Sequence, residues 1–248
     1  TYHAMIDRIL KETSAETFSV YVGKGDSFRV DLPLPDKYKG NREGTIKPVY
    51  VDDLKDYIIS TPEWNLSGSN LESDDWVCMK QWIGYTMGTK VVAVTSDKDA
   101  NSQYGWLYNP DKMTSPRFVD GVGELTCGKR GSVWKVEGYG ERFLMYQMLT
   151  SDPVDNLFPS RLSGVRFGPL KTYELLQEEG TLVEVWQRVV DKYKEWFGDD
   201  FKYTTWDGKD ISTNWEGVFD LYFACFKMKR YLGDVQTGIQ YMEELRVI

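Results

Sequence analysis

A chain of 248 residues, 41% hydrophobic and 15% aromatic, can bury a full core, which excludes general disorder and reads as one domain. Its one histidine, His3, and its three cysteines, Cys78, Cys127 and Cys225, which lack metal-ligand spacing, exclude histidine triads, the usual zinc sites and a His₂-carboxylate iron site, so any metal chemistry uses oxygen ligands. The net charge of −8 argues against nucleic acid as a partner unless the acids are gathered in one place, as a carboxylate metal site would gather them.

In chain order, AMIDRILKE reads as a helix and TFSVYVG as a short strand. Residues 23–48, GKGDSFRVDLPLPDKYKGNREGTIKP, are loop-like and carry Arg29, Lys37, Lys39, Arg42 and Lys47. VYVDDLKDYII resumes helical spacing, and after LESDD the run WVCMKQWIGYTM is a helix closed by Gly88. VVAV, in KVVAVTSDKDANS, is a continuous apolar run bounded by turn residues, as in a strand buried on both faces of a parallel sheet. Residues 104–140 read as hairpins and loops inserted before the helix RFLMYQML, which SDPVDN ends. PSRLSGVRFGPLKTYELLQEEG is two helical pieces around a Gly-containing turn. In TLVEVWQRVVDKYKEWFG, Leu182, Val185, Trp186, Val189, Val190, Tyr193, Trp196 and Phe197 keep helix spacing, and FDLYFACFKMKRYL ends the tail in another helix. No apolar run approaches the length of a membrane span and no signal-peptide pattern opens the chain, so the expected setting is reducing and cytoplasmic, the host cytoplasm if the protein is viral.

Three acidic clusters carry the chemistry. In LESDD, Glu72, Asp74 and Asp75 crowd together, and like charges raise one another's pKa. A helix start with Ser73 as N-cap would place Asp74 and Asp75 where the macrodipole favours acids, but leaves Glu72 unexplained. SDKDA puts Asp97 and Asp99 just past the buried strand, where open α/β sheets place their sites; such acids are also ordinary turn formers. An aspartyl-phosphate phosphatase would want Thr or Val where Asn101 stands. SDPVDN sets Asp152 and Asp155 three apart, as an Asx-turn or helix end also would. Seven carboxylates at strand and helix ends of an α/β sheet converge on one edge. Two Mg²⁺ or Mn²⁺ ions roughly 3.5–4 Å apart would compensate them and promote phosphodiester hydrolysis. Lys39 and Arg42 in KYKGNR would neutralise the scissile phosphate, unless that loop is only solvated surface. The turn in SGVRFGPLK offers backbone N–H groups and Lys171 to duplex phosphates, or is a plain packing element.

FRVDLPLPDKYKGNR, LESDDWV, VVAVTSDKDANS and SDPVDNL…SGVRFGPLKTYELL resemble, in order, the motifs of the 5′-nuclease (flap endonuclease/5′-3′ exonuclease) family: FR…YKxNR, ExDD, a strand ending in D(K/G)D, and GDxxDN before a helix–three-turn–helix motif. The match spans residues 28–176, and the short connections look like those of the bacteriophage exonucleases. The resemblance implies an α/β fold, a mostly parallel central sheet flanked by helices (PIN-like) with a helix–three-turn–helix DNA-binding motif. It implies one nuclease domain over 1–248, in which 1–150 is the metal-binding core with a short arch at 26–60 and 151–248 the helical DNA-binding part. Carried over by motif, Glu72, Asp74, Asp75 and Asp97 hold the catalytic metal, and Asp99, Asp152 and Asp155 surround a second. Lys39 and Arg42 sit over the active site, while Arg29, Lys37, Gly164, Arg166, Gly168 and Lys171 meet DNA, with K⁺ at the SGVRFG turn. The implied protein is a monomer, away from membranes. It acts on duplex DNA with a 5′ end, flap or nick, and on RNA–DNA hybrids, in phage DNA replication or degradation.

Three departures stand out. The family begins with a central strand ending in a metal-ligating Asp, which nothing before residue 28 supplies; the chain starts at Thr1, so a preceding piece is expected. Val22 stands where the family often has an acid, with Asp26 as a shifted substitute. About thirty residues separate Arg42 from Glu72, too few for a long helical arch, which predicts more exonuclease character. Two alternatives come from other classes: a catalytically silent DNA-structure-binding module, and an acidic carbohydrate-active enzyme using two of the carboxylates without metal.

Overall fold

A computed structural model describes residues 1–23, 27–46, 48–61, 64–66 and 70–248; Asp26 and Lys47 lie outside the described residues. The chain divides into two compact units. Unit 1 comprises Thr1–Phe28, Gly44–Val119 and Met228–Asp234, and unit 2 comprises Arg29–Glu43, Asp120–Lys227 and Val235–Ile248.

Unit 1 is mixed α/β. It holds helices α1 (Tyr2–Thr13), α2 (Val51–Ile59) and α3 (Ser73–Met87), with strands β1 (Val20–Val22), β2 (Trp64–Leu66), β3 (Val92–Val94), β4 (Gly105–Tyr108) and β5 (Arg117–Val119). β1 pairs with β2 and β3 with β4, both parallel, while β5 joins β4 antiparallel. The expected parallel pairings are present, but among the described residues they form two small sheets rather than one mostly parallel sheet. Strands of three residues expose little edge and cannot extend a continuous ladder. The helix expected after LESDD forms and ends at Gly88, whose φ of 66° suits glycine. Its N-cap is Glu72 and not Ser73, so Ser73 is already helical. Gly84 lets α3 lie close to the segment entering β3, since a Cβ there would stand 2.6 Å from Val91 Cβ.

Unit 2 is mostly helical, with helices α4 (Glu141–Leu149), α5 (Pro159–Leu162), α6 (Pro169–Gln177), α7 (Leu182–Phe197), α8 (Trp215–Phe226) and α9 (Gly238–Glu244). Two antiparallel hairpins accompany them, β6 (Glu124–Arg130) with β7 (Val133–Tyr139) and β8 (Phe201–Thr204) with β9 (Asp210–Thr213). α7 follows its periodicity: Val185, Trp186, Val189, Val190, Tyr193, Trp196 and Phe197 are buried, and Leu182 is half-buried against the same core. Its start is fixed by Thr181, which accepts from the Glu184 N–H while the Glu184 carboxylate accepts from the Thr181 N–H. α8 stops at Phe226 instead of running through KMKRYL, because Met228–Asp234 packs in unit 1. The buried Glu141 carboxylate accepts from Tyr241 Oη at 2.6 Å and Trp186 Nε1 at 3.2 Å, which pins α4, α7 and α9 together. Among the described residues, no helix is long and apolar enough to cross a membrane.

Candidate functional site

In unit 1 the acids are ordered by backbone and hydroxyl donors. Glu72 is extended (φ −76°, ψ 158°) as it caps α3, and its N–H donates to Asp75 Oδ2 at 3.3 Å. The other Asp75 oxygen accepts from the Lys229 N–H at 3.1 Å, and Asp75 is fully buried. Asp74, half-buried, accepts from Thr95 Oγ1 at 3.4 Å, and Thr95 Oγ1 in turn accepts from the Asp97 N–H at 3.0 Å. Asp97 Oδ1 then accepts from the Asp99 N–H at 2.9 Å. Thr95 therefore ties the start of α3 to the end of β3. Sequence reasoning passed over it, although a hydroxyl two residues before an N–H it can bond is a recognisable turn signal. Asp97 is exposed and Asp99 buried.

In unit 2 the loop KYKGNR closes on the turn SDPVDN. Asp152 makes the expected Asx-turn, Oδ1 accepting from the Val154 N–H at 3.1 Å. Arg42 Nη2 lies 2.8 Å from Asp155 Oδ1, its Nε donates to the Val154 carbonyl at 3.2 Å, and Lys39 Nζ stands 3.9 Å from the same carboxylate oxygen. Tyr38 Oη donates to Asp155 Oδ2 at 3.4 Å. Three further bonds lock the backbones: Lys39 N–H to Asp155 O at 3.0 Å, Asn41 Nδ2 to Pro153 O at 2.5 Å, and Asn156 Nδ2 to Lys37 O at 2.9 Å. Lys39 holds φ 54°, a left-handed conformation that costs a non-glycine residue and is retained here by these bonds. Tyr38, Asn41 and Asn156 stand in the YKxNR and GDxxDN motifs, but the sequence assigned them no role, since spacing alone does not show that loop and turn, more than a hundred residues apart, meet.

The carboxylates of Asp152 and Asp155 are buried, with ligand oxygens within 4.8 Å of one another. Asp99 likewise offers a buried carboxylate oxygen suited to a cation. An all-oxygen donor set of this kind fits a hard divalent ion such as Mg²⁺ or Mn²⁺ and suits soft metals poorly.

The residues expected at DNA fall into different settings. Arg29 is fully buried, Nε donating to the Cys225 carbonyl at 2.9 Å, a contact that braces unit 2. Lys37 is partly exposed and pairs with Glu43 at 2.5 Å. Gly164 (φ 78°) and Gly168 flank the turn between α5 and α6, where Arg166 is exposed, and Lys171 is exposed in the first turn of α6.

No family model and no curated protein matches the sequence. Among solved structures, T5 D15 protein, crystallised with metal ions, is similar in fold to this chain, with a TM-score of 0.50 and 20% identity over 77% of this chain and 70% of that one.

Proposed function

We propose that the chain is a divalent-metal-dependent 5′ nuclease that hydrolyses phosphodiester bonds of duplex or 5′-junction DNA. The observation that carries this reading is the clasp in unit 2. Arg42 and Asp155, 113 positions apart, belong to two of the motifs that resemble the 5′-nuclease family, and they meet at 2.8 Å. The shared fold with a protein crystallised with metal ions and the oxygen-only acids support it.

On this reading Glu72, Asp74 and Asp97 of unit 1 hold one ion, and Asp152 and Asp155 of unit 2 offer oxygens to a second. Asp75, with both oxygens engaged by backbone N–H groups, acts as the support that orients Glu72 and Asp74. The bound ions would supply an activated water and neutralise charge at the phosphate. Lys39 and Arg42 do the remaining electrostatic work. Arg42 now balances Asp155, and a scissile phosphate offers its planar fork a bidentate alternative. The exposed turn bearing Arg166, with Lys171 at the start of α6 and with K⁺, would fix duplex phosphates without reading sequence.

The test is cleavage of 5′-labelled duplex DNA with Mg²⁺ or with EDTA, by this chain and by Asp74→Ala. Mg²⁺-dependent release of short 5′ products, abolished by EDTA and by the substitution, is the expected result; cleavage indifferent to EDTA would overturn it. The scarcity of chain for an arch predicts that blunt duplexes are cut about as well as flapped ones, and a strong flap preference would refute that part.

A further inference from the structure

The β8–β9 hairpin, unread from sequence, carries Trp206 near its tip, 45% exposed. The tip is not loose. Thr205 N–H donates to Lys209 O at 2.8 Å, Thr205 Oγ1 bonds Asp207, and Gly208 supplies the left-handed turn at φ 86°. The hairpin is strapped to the loop that leads into KYKGNR: Trp206 N–H donates to Leu34 O at 3.1 Å and Tyr203 Oη to Pro33 O at 2.8 Å. Lys37 Nζ sits 4.8 Å from the indole centroid. Lys37 is two residues before Lys39, so their Cα atoms are at most ~7 Å apart. The Lys37 carbonyl is itself held by Asn156 of the acidic turn.

A rigid, half-exposed indole with an ammonium beside it, on the strut that also presents Lys39 and Arg42, has the make-up of a stacking platform for an unpaired base with its phosphate. The acids around it are already matched: Glu43 pairs with Lys37, Asp207 with Lys209 at 2.8 Å, and Asp36 with Arg161 at 2.7 Å. A phosphate can therefore exchange with Glu43 at Lys37 without leaving a buried charge alone. We propose that Trp206 and Lys37 form a subsite for an unpaired nucleobase and its phosphate at the 5′ end of the substrate, so that Trp206 positions the strand that Lys39 and Arg42 then meet. This rests on the nuclease reading above and goes beyond it by naming the part of the substrate recognised and the side chain that recognises it.

The test separates the two claims by working in EDTA, where cleavage plays no part. Fluorescence anisotropy would follow the full chain binding a duplex with a short unpaired 5′ extension and the same duplex with a blunt end. Trp206→Ala should weaken binding of the extended duplex by about tenfold and leave the blunt duplex within about twofold, the size expected of losing one base–aromatic stack. Trp206→Phe, which keeps a ring, should recover most of the loss, and Lys37→Ala should reproduce part of it in a salt-dependent manner. Equal affinities for wild type and Trp206→Ala would overturn the proposal, as would equal losses on both duplexes or no recovery with phenylalanine. Should Trp206→Ala lose the extended duplex selectively while the wild-type chain never cleaves with Mg²⁺, the subsite stands and the nuclease reading fails.

Discussion

Asp75 in unit 1 and Asp155 in unit 2 are both buried aspartates from clustered acids, yet their charge is balanced by different kinds of donor. Asp75 accepts from the backbone N–H groups of Glu72 and Lys229 at 3.3 and 3.1 Å. Asp155 faces the Arg42 guanidinium at 2.8 Å and the Lys39 ammonium at 3.9 Å, on side chains that are 50% and 28% exposed. A backbone donor cannot withdraw without dismantling the turn that presents it. A guanidinium on a flexible stem can swing to another anion at the cost of one exposed ion pair, about 0–1 kcal/mol. In unit 1 two backbone N–H groups thus hold Asp75 in place, whereas unit 2 keeps an exchangeable counter-ion beside an acid suited to a cation.

The largest effect should come from Asp74→Ala. Loss of a proposed metal ligand should cut Mg²⁺-dependent cleavage by at least ~100-fold, beyond the roughly 10–100-fold typical of losing a group that merely supports a ligand. Its contact with the Thr95 hydroxyl, at 3.4 Å, is a weak bond, so losing that contact should cost little stability. Asp75→Ala should do the reverse first, costing about 2–3 kcal/mol in urea unfolding because two backbone donors lose a buried acceptor. If Asp75→Ala proved as stable as wild type, the framework role would fall.

Alkaline unfolding probes the buried tyrosines of unit 2 next. In unit 2, burial holds the Tyr193 and Tyr222 hydroxyls well above the ordinary tyrosine range and pushes Tyr203 up to about 12. The folded chain keeps these protons while the unfolded chain releases them from about pH 10. Their contribution to stability is complete below pH 10 and is lost as pH rises towards 12, by at most ~1.4 kcal/mol per pH unit for each tyrosine. Urea midpoints measured from pH 8 to 11.5 should fall only above pH 10, and Tyr203→Phe should flatten part of the fall. A midpoint that declined already at pH 9 would point elsewhere.

How far the sequence could be read follows the range of the forces involved. α7 was legible because its eight apolar positions report a local period, and α3 because Gly88 and the acids of its first turn are local signals. The cap at Glu72 was misplaced by one residue, since Ser73 is the better intrinsic cap and only the Asp75 carboxylate, reaching back to the Glu72 N–H, shifts the boundary. The β8–β9 hairpin went unread despite Asp207-Gly208, a turn signal, because its alternating flanks are only four residues each and their inner faces are only half-buried. Arg29 shows the limit most clearly. A cation in a basic loop reads as a ligand contact, and its burial against the Cys225 carbonyl depends on a residue 196 positions away. The motif order pointed to which acids matter, but whether N–H groups or side-chain cations balance them is a tertiary property.

The smallest effect tests the exchangeable side of the comparison. Arg42→Ala removes the 2.8 Å partner of Asp155 but leaves Tyr38 and Lys39 beside it, together with the Lys39 N–H bond to the Asp155 carbonyl that holds the turn. The expected loss of stability is below about 1 kcal/mol, because the guanidinium is half in water and its ion pair is screened. That loss should shrink further between low and high salt, whereas the two backbone bonds lost in Asp75→Ala should respond less, since an N–H dipole is screened less than a side-chain cation. Unfolding free energies of the two variants in dilute buffer and in ~1 M NaCl decide the matter, the Debye length falling to about 3 Å in the latter. A salt-insensitive loss of 2 kcal/mol or more (estimate for a buried, fixed charge pair) in Arg42→Ala would make Arg42 as much a part of the framework as Asp75, and the guanidinium would then not be free to leave Asp155 for a phosphate.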